Sequence, residues 1–394
     1  MHEHLNFSLQ EYQQRLDKVR TRMVERDLDT LIIHDPSNMA WLTGYDGWSF
    51  YTPQAVVIGS TGEPIWFGRH MDASGALRTV YMHAHNVIGY PDHFVMNPPL
   101  HAMQYLATDV LPERAMNTGR IGVEMDNYYF SHTAYKALED NLPQAQLCDA
   151  TAVVNFCRAH KSEREMDYMR IAAQICDRAH AAALEMIEPG LPKNRLAAHI
   201  YQVAIQGIEG HGGDYPAIVP IISAGADASA PHLTWDDSPF REGEGCFLEL
   251  AGCYKRYHST LSRTIFLGKP SPDFMRAEQA LNAGLEAGLA AAKPGNTCAD
   301  IAHALNSTLA GFGFDRAGAR CGYPIGLSYP PDWGERSMSL RESDNTVLEP
   351  GMTFHFMPGL WMDNWGMETT ESIHIIEGGV ETLCNTARKL FVKP

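Results

Sequence analysis

The spacing of apolar positions changes segment by segment along the chain. Leu9, Tyr12, Leu16, Val19 and Met23 recur at helical spacing behind Ser8-Leu9-Gln10-Glu11, which has the form of a capping box. An amphipathic helix is therefore predicted near the start. Leu28 to His34 reads as a buried strand. Ala55 to Gly59 and Pro64 to Gly68 read as two more, joined by the hairpin-like turn Ser60-Thr61-Gly62-Glu63. Arg120 to Glu124 is another strand, followed by a helix near Ser131 to Asn141. These elements predict a mixed α/β first domain over residues 1–157.

A second unit, 158–394, opens at Lys161-Ser162-Glu163-Arg164-Glu165. Ser162 and Glu165 form another capping-box pair, and an Ala-rich helix runs to about Ile187. An internal echo follows. Pro189-Gly190 precedes a helix containing Leu196-Ala197-Ala198-His199, and Pro294-Gly295 precedes one containing Asp300-Ile301-Ala302-His303. Each Pro-Gly follows an Ala-rich helix, and strand-rich stretches follow both copies: Ala217 to Ser223 with Gly245 to Leu267, then Thr353 to Met357 with Ser372 to Ile376. Two ordinary helix stops would produce the Pro-Gly pattern alone. The shared order of elements favours a duplicated half with pseudo-two-fold symmetry.

Composition narrows the function classes. The 394 residues are 45% apolar and 20% charged, an ordinary globular balance with length enough for two domains. The formal net charge of −16 opposes a nucleic-acid or anionic-membrane partner. Met1-His2-Glu3-His4 is polar, so no signal peptide is expected, and no apolar run is long enough to span a bilayer. The eight cysteines are scattered without a Cys-x-x-Cys pair, which reads as reduced thiols in a cytoplasmic protein.

Several segments, in order, resemble the creatinase/prolidase family. They are Ser37-Asn38-Met39-Ala40-Trp41-Leu42-Thr43-Gly44-Tyr45, Lys161-Ser162-Glu163, Pro231-His232, Tyr257 to Thr264, Cys321-Gly322-Tyr323-Pro324-Ile325-Gly326-Leu327, and Val347-Leu348-Glu349-Pro350-Gly351-Met352. The resemblance implies an N-terminal α/β domain and a C-terminal pita-bread catalytic domain with pseudo-two-fold symmetry. Metallopeptidases of the family bind two divalent ions through Asp, Asp, His, Glu and Glu. Those positions fall here at Glu249, Thr260, Tyr323, Met357 and Thr370, and only Glu249 is a strong ligand for a hard cation. Metal-free hydrolysis without a cofactor is therefore expected, as in creatinase. Creatinase, however, carries glutamates where this chain has Ser262 and Met357.

Within the family, the branch that hydrolyses ectoine is the most similar. It is matched by Gly44 to Tyr51, Leu248 to Cys253 and Trp361 to Glu371. This resemblance implies a homodimer that opens a small cyclic amidinium carrying a carboxylate, ectoine, to N-acetyl-L-2,4-diaminobutyrate. 5-Hydroxyectoine is a second candidate substrate, and a downstream deacetylase a functional partner. Such chemistry needs carboxylates facing the cation, a base and a proton shuttle. Glu249 lies on the otherwise apolar strand Cys246 to Ala251, where a carboxylate is costly unless paired. It is a candidate nucleophile or general base. Its neutral alternative is a structural ion pair.

His232 is the candidate shuttle, against the alternative of an exposed loop histidine. Glu368 and Glu371 are three apart, which on one strand puts them on opposite faces. Glu368 is preferred as the second carboxylate, and Glu371 stays a substrate-binding candidate. Tyr323 either donates to substrate or fills space, Tyr329 and His355 are candidate lining residues, and Trp361 a candidate aromatic wall. In the family, an N-domain loop of the partner subunit closes the site, which would bring Asp46, Trp48 and Phe50 across the dimer. The competing readings are a creatinase-like amidine or guanidine hydrolase, a metal-dependent X-Pro peptidase, and a non-catalytic peptide-binding module.

Overall fold

The computed structural model describes residues 5–316 and 318–394; the polar segment Met1 to His4 lies outside them. The chain divides into two compact units, Met1–Arg158 and Ala159–Pro394.

The first unit is built on one mixed sheet. Its strands are β1 (Thr30–Ile33), β2 (Ala55–Gly59), β3 (Ile65–Arg69), β4 (Val87–Tyr90), β5 (Gly119–Val123) and β6 (Ala145–Asp149), in the order β4-β3-β2-β1-β5-β6. The turn after Gly59 does join antiparallel neighbours, β2 and β3. The other crossovers make β1–β5, β3–β4 and β5–β6 parallel. Both faces are covered. Leu31, Ile33, Val56 and Ile58 pack into one core with Leu16, Val19 and Met23 of the helix Leu9–Glu25. Ile32, Ala55 and Val57 pack into the other with Leu138 of the helix His132–Asn141. Burial on two faces is why these strands read as continuous apolar runs instead of alternating ones. Ser8 accepts from the Glu11 amide at 3.1 Å and starts the first helix.

The second unit carries the strands β7 (Ile221–Ala224), β8 (Gly245–Tyr254), β9 (Tyr257–Leu267), β10 (Gly322–Pro324), β11 (Thr353–Phe356), β12 (Gly359–Trp361), β13 (Gly366–Glu368), β14 (Glu371–Ile376), β15 (Gly379–Thr382) and β16 (Phe391–Lys393). One sheet runs β16-β9-β8-β7 and a second runs β10-β11-β14-β15, while β12 and β13 form a short ribbon. Helices Glu163–Met186 and Lys193–Gln206 precede the first sheet; Pro272–Ala291 and Cys298–Gly311 precede the second. Gly190 and Gly295 turn the chain between the helices of each pair with φ of 90° and 88°, the left-handed backbone that glycine adopts without steric cost. The two halves therefore share this turn as well as the order of their helices and strands. The reciprocal Ser162–Glu165 capping box is formed at the start of the first long helix.

A polar rail joins the two sheets. Thr260, Ser262 and Thr264 recur with strand period on β9, so they share a face. The Thr260 amide donates to Ser372 Oγ at 2.7 Å, the Ser262 amide to Thr370 Oγ1 at 2.7 Å, and Thr264 Oγ1 accepts from the Glu368 amide at 2.9 Å. This seam brings the end of β13 and the start of β14 against the central hairpin. Among the described residues no helix is long and apolar enough to cross a membrane.

Candidate active site

Glu249 sits mid-strand on β8, paired with Ile221 of β7 on one side and Ser262 of β9 on the other. Glu368 ends β13, opposite Gly359 of β12. A side chain at 359 would meet the Trp361 ring at 2.9 Å and the Glu368 Cγ at 3.3 Å, so glycine there leaves room for both. The two glutamates are 5% and 1% exposed. Among the described residues Glu249 accepts no hydrogen bond and neither glutamate forms an ion pair with a Lys or Arg, although the Arg316 charge reaches Glu368.

Two carboxylates buried together cannot both ionise cheaply. Burial, and then the charge of Glu368, push Glu249 well above the ordinary carboxylate range. Burial pushes Glu368 up to about 7, opposed by the Ser262 hydroxyl, the Arg316 charge and the Trp361 indole. The pair therefore retains protons near neutrality until something cationic arrives.

Around the pair runs a chain of neutral groups. Trp333 Nε1 donates to Tyr323 Oη at 2.8 Å. Tyr323 Oη lies 3.2 Å from His355 Nδ1, and His355 Nε2 lies 2.8 Å from Thr370 Oγ1. Burial holds His355 down to about 3, so the ring is neutral. Burial and the nearby Glu249 hold the Tyr323 phenol well above its usual value, so it keeps its proton. With Trp333 donating to it, Tyr323 directs its own proton to Nδ1, which assigns the His355 proton to Nε2 and the donation to Thr370. His355 Nδ1 is 3.8 Å from Glu249 Oε1, too long for a hydrogen bond but one small shift from one.

Most of the positions where the resemblance places metal ligands are engaged in protein hydrogen bonds. Thr370 is engaged with His355 and the Ser262 amide, Tyr323 with Trp333 and His355, and Thr260 with Ser372. Among the described residues no group of three or more His, Cys, Asp or Glu could hold an ion. One carboxylate, two threonine hydroxyls, a tyrosine and a thioether do not fit a pair of hard dications.

The remaining sequence-derived candidates separate. Glu371 does not share a strand with Glu368: it begins β14, where Oε1 accepts from Arg263 Nη2 at 2.5 Å and Arg388 Nε at 3.1 Å. Thr369 and Thr370 break the strand between them, so the two glutamates part company through this break and not by alternating on one strand. His355, by contrast, joins the site directly. Trp361 lies beside Glu368, and Trp365 packs on Phe274, ring centroids 5.2 Å apart. Tyr329 is buried under the Arg256 guanidinium, 4.8 Å from its ring centre.

His232 is exposed and, among the described residues, forms no hydrogen bond or ion pair. Its loop is tied down by Ser223 Oγ, which donates to the Leu233 carbonyl at 3.1 Å. The same loop packs through Ala228 against Ile221, Phe247 and Trp361. In the first unit, Asp46 is exposed, Trp48 is 58% exposed, and the Trp48 and Phe50 rings lie 4.8 Å apart. Residues that sequence reading missed are Ser262 as a neighbour of Glu368, Trp333 and Arg316. An aromatic inside the turn-like Pro330-Pro331-Asp332-Trp333-Gly334 was the signal for Trp333; Arg316 had none.

Comparison with known proteins identifies the family. The model of metallopeptidase family M24 matches residues 167–379, and that of the creatinase/prolidase N-terminal domain matches residues 15–160. The chain is 61% identical over 394 residues to ectoine hydrolase of Halomonas elongata, covering 99% of each. It is 39% identical over 390 residues to an uncharacterized hydrolase/peptidase of Sinorhizobium fredii, covering 99% of each. A prolidase of Thermococcus sibiricus shares the fold with a TM-score of 0.84 at 17% identity, covering 98% of this chain and 100% of that one. The chain belongs to the creatinase/prolidase branch of metallopeptidase family M24.

Proposed function

We propose that this family member hydrolyses ectoine, opening the cyclic amidine to N-acetyl-L-2,4-diaminobutyrate without a catalytic metal. The observation that carries the reading is the buried Glu249–Glu368 pair, which among the described residues forms no ion pair with a Lys or Arg and sits among hydroxyls where the resemblance places the family's metal ligands. The 61% identity to ectoine hydrolase of Halomonas elongata supports it independently.

An amidinium spreads one positive charge over N–C–N. Placed between two buried carboxylates, it supplies the charge they lack and displaces their protons. Glu368 then pairs with the amidinium nitrogens. Glu249, directly or through a water it deprotonates, attacks the carbon between them. The C–N bond breaks as the leaving nitrogen takes a proton, and water supplies the oxygen of the acetyl group. His355, 3.8 Å from Glu249, is placed to pass a proton on the inner side. His232, on the loop packed beside Trp361, is the shuttle on the solvent side. A homodimer in which Asp46, Trp48 and Phe50 of one copy cover the site of the other belongs to the same reading, as does acceptance of 5-hydroxyectoine and a downstream deacetylase.

The test is ectoine consumption followed by NMR with EDTA present, using creatine and a Gly-Pro dipeptide in parallel. Loss of ectoine with a new N-acetyl signal, insensitive to EDTA, is expected. Metal-restored dipeptide cleavage without ectoine turnover would overturn the assignment. Turnover of creatine would move the chain to the guanidine hydrolases, and silence on all three to the binding modules.

A further inference from the structure

One half-buried cation near the site is unused. Arg316 lies in the loop between helix Cys298–Gly311 and β10. Its guanidinium carbon sits 5.6 Å over the Trp361 ring, the same ring that flanks Glu368. Nη2 donates to the Arg320 carbonyl at 3.3 Å, but Nη1 is buried without a hydrogen-bond partner among the described residues. Glu368 feels the Arg316 charge, yet the two do not form an ion pair. Three further buried polar atoms beside them, Glu368 Oε2, Ser262 Oγ and Trp361 Nε1, lack a well-aligned hydrogen bond, although the hydroxyl and the indole lie near enough to steady the Glu368 charge. Orphaned polar atoms cost about 1–3 kcal/mol each, more when charged. Poorly satisfied atoms gathered in one place, with Arg316 Nη1 wholly without a partner among the described residues, make a cradle that a ligand completes.

The charge pattern specifies that ligand. Two carboxylates, Glu249 and Glu368, lie together, and one guanidinium stands over the aromatic ring beside Glu368. A cation alone would satisfy the carboxylates and leave the buried Nη1 of Arg316 without a partner. We infer that Arg316 receives the carboxylate of a zwitterionic amidinium substrate, setting both its orientation and the enzyme's preference for carboxylate-bearing rings. The fork of N–H donors suits a carboxylate better than a point charge would. This inference rests on the function proposed above, because it takes the amidinium to lie on Glu249 and Glu368. Arg320 makes the contrast: its guanidinium is 4.9 Å over the Tyr323 ring, but the residue is exposed and water can solvate it.

The experiment compares ectoine with its carboxylate-free parent ring, 2-methyltetrahydropyrimidine, in wild type, Arg316→Met and Arg316→Lys. Kinetics are read by NMR and folding by circular dichroism. For Arg316→Met, the wild-type preference for ectoine over the parent ring, measured as the ratio of kcat/KM values, should fall by about 10- to 100-fold, mainly through the KM for ectoine. Arg316→Lys should fall between the two and carries the test if the Met variant does not fold. An unchanged preference ratio in a folded variant overturns the inference while leaving ectoine hydrolysis intact. Wild-type protein inert towards ectoine overturns the function reading itself and this inference with it.

Discussion

Each unit of the molecule buries a glutamate, and the two are wired in opposite ways. In the first unit Glu124 is 2% exposed and is pushed up to about 7, first by burial and then by the charge of Asp35. Glu368 in the second unit reaches the same value. Yet Oε2 of Glu124 accepts from the His34 amide at 2.7 Å and the Asp35 amide at 2.8 Å, and Oε1 accepts from Asn38 Nδ2 at 2.6 Å. Asn38 in turn accepts from Arg158 at 2.7 Å. Glu124 is a finished joint between strand and loop. Glu368 keeps one oxygen bare and faces a second buried acid. A perturbed acidity therefore does not mark a site by itself; unmet bonding capacity beside it does.

The most severe way to test that contrast is to remove the acid at the centre of the incomplete cluster. Glu249→Gln should lower kcat by at least about 10³-fold with an unchanged circular dichroism spectrum, because the shape stays and the base or nucleophile goes. Near-wild-type turnover would take Glu249 out of the chemistry.

Glu371 offers an intermediate case, buried but bonded to Arg263 and Arg388. Removing one partner of a buried ion pair leaves an uncompensated charge, so Glu371→Gln should cost about 3–5 kcal/mol in urea unfolding. A loss under 1 kcal/mol would show that the pair holds nothing together.

Titration sharpens the comparison further. A carboxyl with a raised folded-state pKa binds its proton more tightly when folded. For Glu368 that stabilisation is complete below the unfolded pKa of about 4.3 and is lost as pH rises through about 7. Glu368→Gln removes this term. The variant should gain up to about 2–3 kcal/mol relative to wild type between pH 4.5 and 8, while losing activity. Equal pH dependence of the two unfolding curves would contradict the burial of an ionisable, unpaired group. The smallest effect belongs to the finished joint: Glu124→Gln should cost only about 1–2 kcal/mol, since one of its three acceptor contacts turns to a donor clash. Its kcat/KM for ectoine should stay within about twofold.

Much of this was legible from residue order. Strand and helix positions in both units followed from apolar period and caps, and the duplicated half followed from two Pro-Gly turns. The isolated acid in Cys246 to Ala251 pointed to Glu249 because an apolar strand tolerates a carboxylate only for a reason. Those signals are local: a period, a cap or a charge out of place is visible within ten residues.

What the chain order did not decide is which distant groups meet. The seam between β9 and residues 368–372 sets Glu368 beside Ser262, over a hundred residues away, and turns Glu371 toward Arg263. It makes His355 a neighbour of Glu249 and brings Arg316 over Trp361. None of these pairings has a spacing rule, because each depends on how two sheets and a loop pack. Residue order determined the helices, the strands and the repeated half of the second unit, while the pita-bread fold and the replaced metal ligands followed from resemblance to the family. Tertiary packing alone decided which buried charges are paired and which wait for substrate, since that depends on hydrogen-bond geometry across the fold.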